Sequence, residues 1–346
     1  MKAIVQIVGV DLLCRGLGTP ALESRIDGAS APVKLQGWAA RYSRATRLGD
    51  EAELFAIGRE MFDWLNPSDW AAAWAKAAGP RELEIRVDDP AEPLARAVLE
   101  APWELLARES GYLADDAVQL FELYRRVGGE GSPAEPKFGD LQLMFMAAAP
   151  SGENPLSFEA EESGILEATK RLPLHLVVEE SGCAQFLGER LDLDGHFEAL
   201  HLSCHGDIHP RHGPQLALED ETGQLALVDV GQLVGTLGDP QRMPLVFLSA
   251  CRTAEQIEAG EGAAEPFVHE LVRAGVANVL GWDGSVYDAD ALTYARSFYS
   301  ELASLQRVPR AAAVARHALR KCQIDNPRQG RHWHLARLYL GPAGGG

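Results

Sequence analysis

Pro244-Leu-Val-Phe-Leu-Ser-Ala-Cys-Arg-Thr-Ala254 is a short apolar run, opened by a proline and closed by a cysteine. Its length and its valine, phenylalanine and leucines fit a strand buried on both faces, which carries Cys251 to the carboxyl end of a sheet. A second such run, Leu200-His-Leu-Ser-Cys-His-Gly206, ends on histidine and glycine 46 residues before Cys251. If the two strands lie parallel and adjacent, Cys251 and His205 meet where open α/β sheets place their ligand crevices. A thiol with a pKa of roughly 8.5 is mostly protonated at neutral pH, so a nucleophilic cysteine needs a nearby base. His205 is that base, and the pair points to Cys-His acyl-transfer chemistry.

Composition narrows the setting. The 346 residues, 46% of them hydrophobic, suffice for a packed core in one large or two ordinary domains. With 32 basic and 50 acidic residues the net charge is −18, which repels phosphate backbones and anionic lipid. This argues against nucleic acid and membrane partners. Five scattered cysteines (Cys14, Cys183, Cys204, Cys251, Cys322) lack C-x-x-C spacing and fit a reduced cytoplasmic protein. No run of 18 or more apolar residues exists, and Met1 to Val10 reads as a first strand and not as a signal peptide.

Working outward, apolar strands alternate with helices on both sides of Cys251, which implies a mostly parallel sheet with both faces covered. Strands are expected at Leu141–Ala147, Leu174–Val178, Phe197–Ser203, Leu245–Ala250 and Val276–Trp282, with an alternating one at Trp333–Leu340. Helices are expected near 157–171, 183–191, 229–237, 267–274, 288–303 and 309–321, and a hairpin at Leu216–Leu227. The first 127 residues read as a smaller α+β subdomain. There Ala31–Trp38 alternates like a strand, 50–65 has helical spacing, and Arg81–Val87 alternates strictly, as an edge or antiparallel strand with one wet face does. Gly128 to Pro136 is poor in apolar groups, so residues 128–137 are the expected linker. Residues 138–340 form the expected catalytic domain and 341–346 a flexible tail.

The motifs and their order resemble the CHAT family of caspase- and separase-like cysteine peptidases. Ala101-Pro-Trp-Glu-Leu-Leu106 resembles its P-W-E-L-L element, His201 to Gly206 its histidine motif, and Leu248 to Ala254 its L-S-A-C-x-T motif. Gly275 to Trp282, the Phe298-Tyr299 pair and the strand opened by Trp333 resemble three further elements. Caspases separate their His and Cys by roughly 50 residues, and Ser-Ala-Cys-Arg-Thr is close to their Q-A-C-[RQG]-G. The segment Gly281-Trp-Asp-Gly-Ser-Val-Tyr-Asp288 departs from the family's W-x-V-x-D by an insertion. The resemblance implies a caspase-like α/β fold and an oxyanion held by the backbone N–H groups of Cys251 and Gly206. It further implies a protein substrate, no metal or other cofactor, and control by a sensor or regulatory protein, often in bacterial antiviral defence or cell death.

Several residues carry competing expectations. Ser249, two before Cys251, occupies a pocket-lining place; Glu153, Trp282, Asp283 and Asp288 complete a substrate-binding set expected to accept a basic or neutral residue, and not aspartate, before the scissile bond. Asp288 equally suits a helix cap, and Trp282 core packing. Cys204 reads as a core thiol on the face opposite to His205. Cys204, His205, His209 and His212 have zinc-like spacing but lie in a proline- and glycine-broken loop. His332 and His334 read as rim residues sharing one strand face. Glu255, Glu258, Glu261 and Glu265 form an acidic, glycine-rich loop, either a solvated face or a gate. Beside the peptidase stand two alternatives, a non-catalytic adaptor that binds peptide and a different thiol amidohydrolase.

Overall fold

A computed structural model of the protein describes residues 1–17, 22–66, 69–129, 131–132, 139–153, 157–209, 213–253 and 266–346. The acidic loop with its four glutamates, His212 and most of the expected linker lie outside these residues. The chain divides into two compact units: Met1–Glu130 with Ala312–His334, and Gly131–Ala311 with Leu335–Gly346.

In the first unit, strands β1 (Lys2–Val8), β2 (Asp11–Leu17), β3 (Leu22–Ile26), β4 (Arg81–Val87) and β7 (Phe121–Val127) run in the order β3-β2-β1-β4-β7. A small hairpin, β5 (Ala107–Arg108) and β6 (Gly111–Tyr112), stands apart. Helices α1 (Ala31–Leu48), α2 (Glu51–Trp64), α3 (Trp70–Lys76) and α4 (Pro93–Glu100) complete residues 1–130.

Two expectations fail here. Residues 31–38 open α1 instead of forming a strand: Pro32 sits in the first turn, where its missing N–H costs nothing, and Ala31, Leu35, Trp38, Tyr42 and Ala45 form one buried stripe. An eight-residue window is too short to tell this 3.6 period from alternation. Nor is β4 a wet edge, since it pairs in parallel with β1 on one side and β7 on the other. Arg81 and Glu84 are buried there, and both are paired. Glu84 lies 2.7 Å from Lys2 Nζ, 2.6 Å from Arg86 Nε and 3.3 Å from Arg126 Nε. Burial pushes Glu84 up, but the hydrogen bonds of Lys2 and Arg86 win and hold its carboxyl at about 2. In the P-W-E-L-L element, Trp103 is fully buried, and Glu104 grips Arg125 through Nη1 at 2.6 Å and Nη2 at 2.9 Å. Arg125 Nε also donates to the Leu99 carbonyl at 2.8 Å.

The second unit holds the parallel sheet. Its strands are β8 (Leu141–Ala147), β9 (Leu174–Glu179), β10 (Ala199–Ser203), β14 (Leu245–Ser249), β15 (Asn278–Trp282) and β16 (Ala336–Leu340), ordered β16-β15-β14-β10-β8-β9. All neighbours are parallel except β15 and β16. Between them come α5 (Phe158–Thr169), α6 (Ala184–Asp194), the three-stranded sheet β11 (His205–His209), β12 (Gly213–Glu219) and β13 (Leu225–Val228), then α7 (Val230–Leu237), α8 (Phe267–Ala274) and α9 (Asp288–Leu302). α10 (Val308–Asp325) follows, mostly within the first unit.

Helices cover both faces of this sheet, which is the expected mostly parallel α/β class. Trp282 of β15 meets Tyr294 of α9 at 5.3 Å between rings. Gly281, one residue earlier and on the other face, lies against Val268 of α8. On the α9 face Phe247 of β14 packs edge-on to Tyr294, Phe298 and the His201 ring, and Phe145 stacks on His201 at 5.1 Å. Each fully buried aromatic stabilises by about 1.5–3 kcal/mol, so this cluster fixes the strands that lead to the site. The last strand begins at Ala336 and is buried throughout, and His332 and His334 precede it. His334 is no rim residue: it is buried, with Nδ1 2.9 Å from the Tyr42 hydroxyl. Among the described residues no helix is long and apolar enough to cross a membrane.

Candidate active site

Strands β10 and β14 are parallel neighbours in register Ser203↔Ser249, and the Cys204 N–H extends the pairing to the Ser249 carbonyl at 3.4 Å. Two residues beyond each serine, the chains deliver His205 and Cys251. Gly206 then approaches Cys251 so closely that a Cβ there would fall 2.3 Å from the Cys251 carbonyl oxygen. Only glycine fits without a shift. His205, Cys251, Ser203, Cys204 and Ser249 line one cleft.

The chain turns sharply at the nucleophile. Arg252 adopts φ 62°, a left-handed conformation uncommon for a residue with a Cβ, and donates its N–H to the Gly284 carbonyl at 3.0 Å. Thr253 Oγ1 accepts from the Trp282 N–H at 3.1 Å and donates to the Ala250 carbonyl at 3.1 Å, which ties the turn to β15. The segment after Trp282 therefore lies against Cys251 and Arg252. Burial pushes the Cys251 thiol above its ordinary value; the Val286 N–H and the Ser285 hydroxyl pull it back, while the charge of Asp288 adds to the rise. At rest the sulfur is therefore a thiol.

Behind the pair lies a carboxylate that the sequence reading did not single out. Glu161 of α5 lines the same cleft and is buried. Ser203 Oγ donates to its Oε2 at 2.7 Å and Ser249 Oγ to its Oε1 at 2.9 Å, and His201 Nε2 lies 3.3 Å from Oε1. The residues two before each member of the pair thus hold one carboxylate. Burial alone would raise Glu161, yet the His201 contact and the two serine hydroxyls keep it below its usual range, and therefore ionised.

The expected substrate set divides. Ser249 lines the cleft, as does Asp288, the exposed first residue of α9, whose Oδ2 accepts from the Ser157 N–H at 3.2 Å. Asp283 is instead engaged by the buried Arg337 guanidinium. Trp282 is fully buried among Phe247 and Tyr294. Glu153 is exposed in the turn after β8 and is not among the residues lining the cleft. Cys204 is buried and its thiol is pushed up by burial, yet it borders the cleft and does not face away from it. His205 and His209 sit in β11. Among the described residues no group of three or more His, Cys, Asp or Glu side chains is arranged to hold a metal ion.

Comparison with solved structures gives several distant likenesses. The crystal structure of the cysteine proteinase gingipain R superposes with a TM-score of 0.49 at 9% identity, over 85% of this chain and 68% of that one. The separase–securin complex of Saccharomyces cerevisiae gives 0.49 at 13% identity, over 99% of this chain and 30% of that one. A secreted C11 cysteine protease of Bacteroides thetaiotaomicron, solved with an irreversible peptide inhibitor, gives 0.35 at 12%, over 53% and 58%. No curated protein matches. The CHAT domain profile matches residues 93–340, from α4 to the end of β16, and so takes in the P-W-E-L-L element, both motif strands and the closing strand. On that match the chain belongs to the CHAT domain family.

Proposed function

We propose that the protein is a cysteine endopeptidase in which Cys251 is the nucleophile and His205 the acid–base partner. The observation that carries this reading is the pressing of Gly206 against the Cys251 backbone, with both side chains on one cleft. As sulfur adds to a peptide carbonyl, its proton passes to His205. The imidazolium then protonates the departing amine, leaving a thioester. Water, deprotonated by the same imidazole, displaces Cys251 and releases the new carboxyl end. The backbone N–H groups of Cys251 and Gly206 stabilise the oxyanion, each by about 3 kcal/mol.

The substrate in this reading is a specific partner protein, cut in the cytoplasm once a sensor or regulatory protein activates the chain, in a defence or cell-death setting. The net charge of −18 supports a protein partner over nucleic acid or membrane. Comparing new protein termini in cells expressing wild type or Cys251→Ala tests it; identical sets of termini would refute it. One observation favours a second reading. A half-buried thiol raised above its ordinary value is a poor resting nucleophile, which suits an adaptor that binds peptide in the same cleft. Covalent labelling by a peptidyl electrophile, abolished in Cys251→Ala, decides for the enzyme.

A further inference from the structure

The proposed peptidase reading leaves one feature of the cleft unused, the carboxylate of Glu161. A buried ionised carboxylate is costly unless its oxygens are satisfied by donors or by a cation. Glu161 has two serine donors, one on each oxygen, and His201 within 3.3 Å. Two hydroxyls and one imidazole leave acceptor capacity on a carboxylate that lines the cleft, since two carboxylate oxygens offer about four acceptor sites.

The walls agree in sign. Among the described residues that line the cleft, the carboxylates are Glu161 inside and Asp288 at the exposed mouth, and no lysine or arginine joins them. Ser203 and Ser249 pin the carboxylate. The anchors are the residues two before His205 and two before Cys251, which brings the charge into the same cleft as that pair.

We propose that Glu161 is a specificity-determining residue that makes this cleft accept a lysine or arginine side chain immediately before the scissile bond. Asp288 guides that side chain at the mouth. The guanidinium or ammonium reaches Glu161 between the two serines and supplies the charge-assisted hydrogen bonds that the carboxylate lacks. An aspartate in the same place meets two like charges.

This inference rests on the peptidase reading, and one set of probes separates the two. The full chain is treated with peptidyl acyloxymethyl ketones identical except for arginine, leucine or aspartate next to the reactive group, and attachment at Cys251 is followed by intact mass. The arginine probe is expected to label at least tenfold faster than the leucine probe, with aspartate slowest. Glu161→Gln should cut the arginine-to-leucine ratio at least tenfold, and Asp288→Asn, exposed and safe for folding, by two- to threefold. A wild-type preference for leucine or aspartate overturns the inference and leaves the peptidase standing. Equal slowing of all probes in Glu161→Gln also overturns it, because it assigns Glu161 a purely structural part. No labelling by any probe, from a protein whose Cys251 still reacts with iodoacetamide, overturns the peptidase reading and this inference with it.

Discussion

Gly206→Ala is the sharpest test of how the two motif strands converge. The new methyl would stand 2.3 Å from the Cys251 carbonyl oxygen and 3.3 Å from both the Cys251 carbonyl carbon and the Ala250 Cβ. Real Cβ atoms essentially never come within 3.0 Å, so the two backbones must part by about 0.7 Å. Overpacking of this kind costs about 1–3 kcal/mol. The functional cost is larger in proportion, because a displacement near 1 Å at reacting groups lowers rates about 100-fold. Gly206→Ala should therefore keep its fold, with a melting temperature a few degrees lower, and label with a peptidyl electrophile 30- to 100-fold more slowly. The assay is the second-order rate of Cys251 modification by intact mass, with thermal melting alongside. A near wild-type rate in a folded variant would show that the His-Gly turn does not set the position of the nucleophile.

Further outcomes follow from the buried charges and thiols. Glu104→Ala leaves Arg125 buried without its carboxylate, and should cost about 3–5 kcal/mol, read as a melting temperature lower by about 10 °C. Glu84, with its folded carboxyl at about 2 against roughly 4.3 when unfolded, contributes about 3 kcal/mol above pH 5 that disappears as pH falls towards 2. Glu84→Gln should accordingly be less stable than wild type at pH 7 and converge with it near pH 2 in urea titrations. Iodoacetamide should modify Cys251 at a rate that levels off at a higher pH than for an ordinary thiol of pKa roughly 8.5, because burial raises the Cys251 thiol. Cys204 and Cys14, both buried with raised thiols, should stay unmodified until the protein unfolds.

The sequence by itself determined the alternation of apolar strands and helices in the second unit, because a strand buried on both faces must be apolar along its length. Leu141–Ala147 and Leu245–Ser249 show this, and helix 267–274 is marked at both ends by Pro266 and Gly275. It also marked His205 and Cys251, which the fold carries to one cleft, since residues placed at strand ends leave a motif in consecutive residues. Tertiary structure alone decided what balanced charge. Glu84 reads as a solvent-facing position, and only partners distant in the chain make its burial, and that of Arg125 and Arg126, tolerable. The same holds for the cleft. Asp283 was drawn off by Arg337, and Glu161 entered through two serines 42 and 88 residues away. One local sign existed, for Glu161 shares the buried stripe of α5 with Ile165 and Thr169. A carboxylate on an apolar stripe needs donors, and a linear sequence does not say where they come from.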